Sequence, residues 1–260
     1  MQSIRSRNNP FFKELVKLSG SARQRSKSDQ TLLDGAHLLA AYLDGGNRPR
    51  HILLNAAALH DGEIAILLER MTEVPVTQLD DKLFADLSEL KTPTGILALI
   101  DLSIPDMPVA QSRFALLLED IQDPGNLGSM LRSAAAAGCD AVYLSMGCAD
   151  AWSPKVLRAA MGGHFALRIY ERQELGGVAN AFPGTLLATS LQATRSLYDS
   201  DLRGNVAFLV GNEGAGLSAG LRNLATQQIT IPMQGNVESL NAAAAAAICL
   251  FEAVRQRAGL

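Results

Sequence analysis

Five compact apolar runs, at 114–118, 141–145, 185–189, 206–210 and 228–231, punctuate the second half of the chain with helix-length stretches between them. Runs this short, bounded by turn residues, suit strands buried on both faces. Regular strand–helix alternation sets such strands side by side in a parallel sheet covered by helices on both faces. The first half repeats the alternation on a smaller scale. Runs at 31–33, 51–54, 74–77 and 95–100 alternate with helical patterns at 36–43, 61–70 and 81–88, which predicts a small α/β domain. Between the halves, Ser103 to Pro108 holds two prolines in a polar setting. The expected organisation is therefore a domain over 1–100, a linker over 101–112 and a larger domain over 113–260, with no internal repeat.

Net charge is −3, which argues against nonspecific coating of nucleic acid, but the charge is unevenly placed. Arg5, Arg7, Lys13, Lys17, Arg23, Arg25 and Lys27 crowd the first segment, where Glu14 is the only acid. Such an arm can neutralise phosphates, and on charge alone it can equally be a solvated helical face. Phe11, Phe12, Leu15, Val16 and Leu18 recur at helical spacing, so part of the arm is expected as an amphipathic helix. An Arg- and Ser-rich start is also how a mitochondrial transit peptide looks. No apolar run reaches the roughly 18 residues of a membrane span, and no apolar leader opens the chain, so the expectation is a cytoplasmic protein. Cys139, Cys148 and Cys249 have neither zinc-site spacing nor a disulfide framework, and His37, His51, His60 and His164 are scattered. Free thiols and no metal site follow.

Three segments at the carboxyl ends of predicted strands can carry chemistry, because open α/β sheets bind ligands there. The first runs from Leu118 through Asp123-Pro124-Gly125-Asn126 to Gly128 and into a helix bearing Arg132. The second is Val210-Gly211-Asn212-Glu213-Gly214-Ala215-Gly216-Leu217, whose glycines let backbone approach a ligand but lack the order of a Rossmann or Walker loop. The third is Ile231-Pro232-Met233-Gln234-Gly235-Asn236-Val237-Glu238-Ser239-Leu240-Asn241, with Asn241 placed to cap an alanine-rich helix. Gly216 to Gly220 matches a hydrolase nucleophile elbow, yet His164 is the last histidine and lies upstream, so the triad order fails. Ser218 reads instead as a helix cap ahead of Leu221 and Leu224.

Taken in this order, the three segments resemble the SpoU (TrmH) family of RNA ribose methyltransferases within the SPOUT superfamily, over roughly 112–258. The tail Ile248 to Arg257 is similar to the family's ribosomal-RNA guanosine methyltransferases, and Ser6 to Lys13 with Leu33-Asp34-Gly35 to its RNA substrate-binding domain. Many members carry Glu-Gly where this chain has Asp34-Gly35, and Val-Ser where it has Ala242-Ala243. The resemblance implies a deep trefoil knot, a homodimer with the site at the subunit interface, S-adenosylmethionine as cofactor and RNA, ribosomal before transfer RNA, as substrate. It also implies roles. Gly211, Ile231, Met233 and Leu240 would hold the cofactor's adenosine half. Asn126 would orient the ribose or the arginine, Glu213 would hold the loop or an RNA group, and Ser239 with Asn241 would shape the pocket floor.

A sulfonium methyl is already activated, so such a protein must align the ribose oxygen, exclude water and manage one proton. A guanidinium resists losing its proton, so Arg132 reads as a phosphate anchor and a stabiliser of developing alkoxide, with the proton acceptor open. Two readings from other classes compete, and base methylation is a nearer rival within the methyltransferases. A noncatalytic RNA-binding protein need not keep Asn126 and Arg132 together, a nucleotide-dependent oxidoreductase should show GxGxxG after its first strand, and base methylation would be separated by its product.

Overall fold

The structure is a computed structural model that describes residues 2–90, 92–102, 105–235 and 237–259. Positions 103 and 104 of the expected linker, and Asn236 of the third segment, lie outside the described residues. The chain forms two compact units, residues 1–103 with 152–165, and residues 104–151 with 166–260.

In the first unit, β1 (Gln2–Ile4), β2 (Gln30–Asp34), β3 (His51–Leu54), β4 (Val76–Leu79) and β5 (Ile96–Asp101) form one sheet. Their order is β1-β4-β3-β5-β2, with β5 antiparallel to both β2 and β3. Helix α1 (Pro10–Gly20) starts where the Asn9 side chain accepts from the Phe12 amide, with proline at the first turn. Its apolar stripe Phe12, Leu15 and Leu18 packs with Leu83, Phe84 and Leu87 of α5 (Asp81–Leu87). The expected amphipathic helix is thus present, and α2 (Ala22–Ser28) continues the basic arm. Arg25 of α2 is buried, and its guanidinium donates to the Leu18 and Ser19 carbonyls at the end of α1. Arg25→Ala strands those acceptors, so chemical denaturation should show a loss of about 1.5–3 kcal/mol, whereas Arg23→Ala on the exposed face should change little.

Helices α3 (Ala36–Asp44) and α4 (Gly62–Glu69) complete this unit together with a segment from far along the chain. Residues 152–165, which lie inside the stretch expected as the second domain, belong here by their contacts. The Thr31 hydroxyl donates to the Trp152 carbonyl at 2.9 Å, and α7 (Pro154–Ala160) packs on β2. Gly162, at φ +87°, sits so close to α3 that a Cβ would meet the Ala41 methyl at 2.7 Å.

In the second unit, β6 (Phe114–Leu118), β7 (Ala141–Leu144), β8 (Arg168–Tyr170), β9 (Thr185–Thr189), β10 (Val206–Val210) and β11 (Gln227–Ile229) form a parallel sheet ordered β11-β9-β10-β6-β7-β8. All five predicted strands are there; β8 is added. Alternate residues feed opposite faces. Ala115, Leu117, Tyr143 and Leu209 pack with Leu175 and Val178 of α8 (Leu175–Ala181), with Phe182 just after it, and with Leu221 of α9 (Ala219–Leu224). The last helix, α10 (Ala242–Arg257), packs against α6 (Pro124–Ala136) and β10. Tyr143 is fully buried, stacked on Tyr170 at 4.8 Å, with its hydroxyl bonded to Ser112 at 2.8 Å.

Candidate active site

The chain steps outward from β6 to β7 and β8, then crosses to β9 on the other side of the sheet, so strand order reverses between β6 and β10. That reversal opens a crevice at the strands' carboxyl ends. Loops leaving β6, β10 and β11 meet there.

The loop after β6 turns sharply at Asp120, which holds a left-handed φ of 54°. Its carboxylate accepts the Ser145 hydroxyl at 2.6 Å, and its amide donates to the same oxygen at 2.9 Å. Asp123 then caps α6 by accepting the Asn126 amide N–H at 2.7 Å, with Pro124 in the first turn. Capping by Asp123 leaves the Asn126 side chain for other work.

The loop after β10 is folded on itself. Asn212 Oδ1 accepts from Gly214 and Ala215, and its Nδ2 donates to the Asp120 carbonyl at 2.9 Å. Glu119 accepts the Ser218 amide at 2.7 Å, and Ser218 caps α9 as its sequence position predicts. A Cβ on Gly211 would collide with the backbone of Gly216 and Leu217, so this loop closes only over glycine.

The segment after β11 ends at Asn241, whose Oδ1 caps α10 by accepting from Ala243 and Ala244. Asn241 Nδ2 donates to Asn126 Oδ1 at 2.9 Å, and Asn126 Nδ2 donates to Glu213 Oε1 at 2.8 Å. One chain of hydrogen bonds thereby ties together three segments distant in sequence. Glu213 and Asn241 are exposed, and Asn126 is half-buried.

A cavity of about 560 Å³ opens beside this chain, lined by Gly211, Ile231, Met233 and Leu240, with Glu213, Ser239 and Asn241 at its polar side. Its size fits a small cofactor. The four positions expected to hold adenosine therefore share one wall system, and Leu191, 63% exposed, adds apolar surface that a flat base would cover. Arg132 does not line the cavity. It is exposed on α6, six residues beyond Asn126, and makes no hydrogen bond or ion pair with any described residue. Six residues carry a side chain about 120° around a helix, which turns it away from Asn126.

Thr189, Ser190, Leu191 and Gln192 at the end of β9, and Arg222 of α9, also line the cavity and were missed from sequence. The signal was available, since the rule that singled out three strand ends applies to the fourth. Cys249 contributes to the floor, where burial pushes its thiol up to about 12 and keeps it neutral. Among the described residues, no group of three or more His, Cys, Asp or Glu side chains could hold a metal ion, and no helix is long and apolar enough to cross a membrane.

Residues 113–251 match the SpoU rRNA Methylase family, and residues 9–98 match the MRM3-like substrate binding domain. An uncharacterized tRNA/rRNA methyltransferase of Synechocystis is 35% identical, covering 98% of this chain and 94% of its own. The 23S rRNA (guanosine(2553)-2'-O)-methyltransferase RlmP of Bacillus subtilis is 34% identical over 96% of this chain and 98% of its own. The AdoMet-bound rRNA methyltransferase of Sinorhizobium meliloti superposes with a TM-score of 0.84 at 26% identity, covering 98% of each chain.

Proposed function

The chain belongs to the SpoU rRNA Methylase family, and from that premise we propose that it transfers a methyl group from S-adenosylmethionine to a ribose 2′-hydroxyl of ribosomal RNA. The observation that carries the reading is the Asn241–Asn126–Glu213 chain standing beside the apolar-walled cavity. When bound, the cofactor supplies an already activated methyl group. Gly211 and Leu240 offer close backbone approach, while Ile231 and Met233 offer flat apolar cover for adenine. Asn126, with both amide ends fixed, is a rigid element against which a ribose can be oriented. Arg132 is free to anchor RNA phosphate and to stabilise charge developing on the ribose oxygen. Ser239 and Asn241 shape the polar side of the cavity.

The same reading includes a deep trefoil knot and a homodimer. On α10, exposed Ala244 and Phe251 lie seven residues apart on one face, which suits close packing of a second copy. The same reading also includes a cytoplasmic location, which the likeness to a bacterial relative, RlmP of Bacillus subtilis, supports.

Lys13 and Lys17 on α1, and Arg23 and Lys27 on α2, are all exposed at one-turn spacing, and we assign them to RNA phosphates. Replacing all four with alanine should flatten the salt dependence of RNA binding by about 0.7–0.9 in log–log slope for each phosphate no longer neutralised and leave cofactor affinity unchanged. An unchanged slope would place the RNA elsewhere. The activity itself is tested by supplying methyl-labelled cofactor with separate pools of ribosomal and transfer RNA: label in ribosomal RNA supports the reading, and label confined to transfer RNA overturns its choice of substrate.

A further inference from the structure

We propose that the Glu213 carboxylate accepts the proton released by the ribose hydroxyl during transfer; this rests on the reading above. The geometry leaves one oxygen for the task. Oε1 takes the Asn126 amide at 2.8 Å, while no described group is bonded to Oε2 of this exposed side chain at the cavity. The other polar side chains at that end are amides or hydroxyls, which are poor bases at neutral pH. The neighbouring acids Glu119 and Asp123 do not line the cavity, whereas Glu213 does. Asp120 is held by Ser145, and Glu238 on the segment after β11 does not line the cavity. Arg222 is the cation among the described lining residues, and like Arg132 it cannot accept a proton.

The chemistry balances with a weak base. The ribose oxygen forms its bond to the methyl carbon as the carbon–sulfur bond breaks, and sulfur keeps that electron pair and becomes a neutral thioether. As that bond forms, the hydroxyl becomes a far stronger acid than it is in water, and the proton leaves in the same step, before positive charge builds on the oxygen. Its proton passes to Glu213, the O–H electron pair stays on the ether oxygen, and Glu213 later returns the proton to water. A base as weak as a carboxylate therefore suffices if it is in place when the new bond forms. The hydrogen bond from Asn126 holds it there.

Glu213→Gln separates this role from a tethering one. The glutamine side-chain oxygen still accepts from Asn126, so the hydrogen-bond chain survives, but the amide cannot take up a proton. Single-turnover methyl transfer should fall about 10²- to 10⁴-fold, with cofactor affinity by calorimetry within about twofold of wild type. Near-normal transfer by the variant would overturn the proposal while leaving ribose methylation standing. If the unsubstituted protein makes no 2′-O-methyl product, both fall.

Discussion

Gly211→Ala is expected to weaken cofactor binding by about 5- to 150-fold, the equivalent of the ~1–3 kcal/mol that overpacking costs when backbone must yield. The atoms in the way are the backbone of Gly216 and Leu217, and they cannot rotate aside as a side-chain tip would. Moving them shifts the wall of the cavity and the hydrogen bonds from Gly214 and Ala215 to Asn212. Gly214→Ala is the matched control in the same loop. A Cβ there would meet only the Asn212 side-chain oxygen at 3.5 Å, an ordinary contact, so affinity should hold. Calorimetric titration of both variants checks the pair, and equal affinities would mean that the loop is not the wall of the cofactor site.

Arg132→Ala is expected to leave cofactor affinity unchanged and to lower methyl transfer about 10²- to 10³-fold, the usual cost of removing one preorganised donor to developing charge. The separation follows from position, since Arg132 is exposed on α6 and lies outside the cavity. Lysine should rescue poorly, because a single ammonium cannot reproduce the planar fork that meets phosphate with two parallel hydrogen bonds. Comparing calorimetry with single-turnover transfer reads the two effects separately. Lost cofactor affinity would place Arg132 in the cofactor site instead.

The parallel sheet was legible because buried strands need unbroken apolar runs, and 114–118, 185–189 and 206–210 coincide with β6, β9 and β10. Caps were legible for a similarly local reason: Ser218 and Asn241 start α9 and α10 through their own side chains. Placement in space was not. Nothing in the period of residues 152–165 says that they pack on β2 and α3, because the deciding features are one hydroxyl, Thr31, and one missing Cβ, Gly162. Strand β8 escaped notice because Arg168-Ile169-Tyr170 has one strongly apolar residue and is a short edge. At the site, the motifs named Asn126, Glu213 and Asn241, but their spacing could not say that one amide would bridge the other two. Capping by Asp123 frees Asn126 for that, and only the fold shows it.

The most direct test is alkaline hydrolysis and nucleoside mass spectrometry of ribosomal RNA incubated with the protein and isotope-labelled S-adenosylmethionine. A methyl group on a 2′-oxygen blocks attack on the adjacent phosphate, so the account predicts label in alkali-resistant dinucleotides that yield a 2′-O-methylnucleoside. Label recovered on a base, in alkali-sensitive RNA, would contradict it.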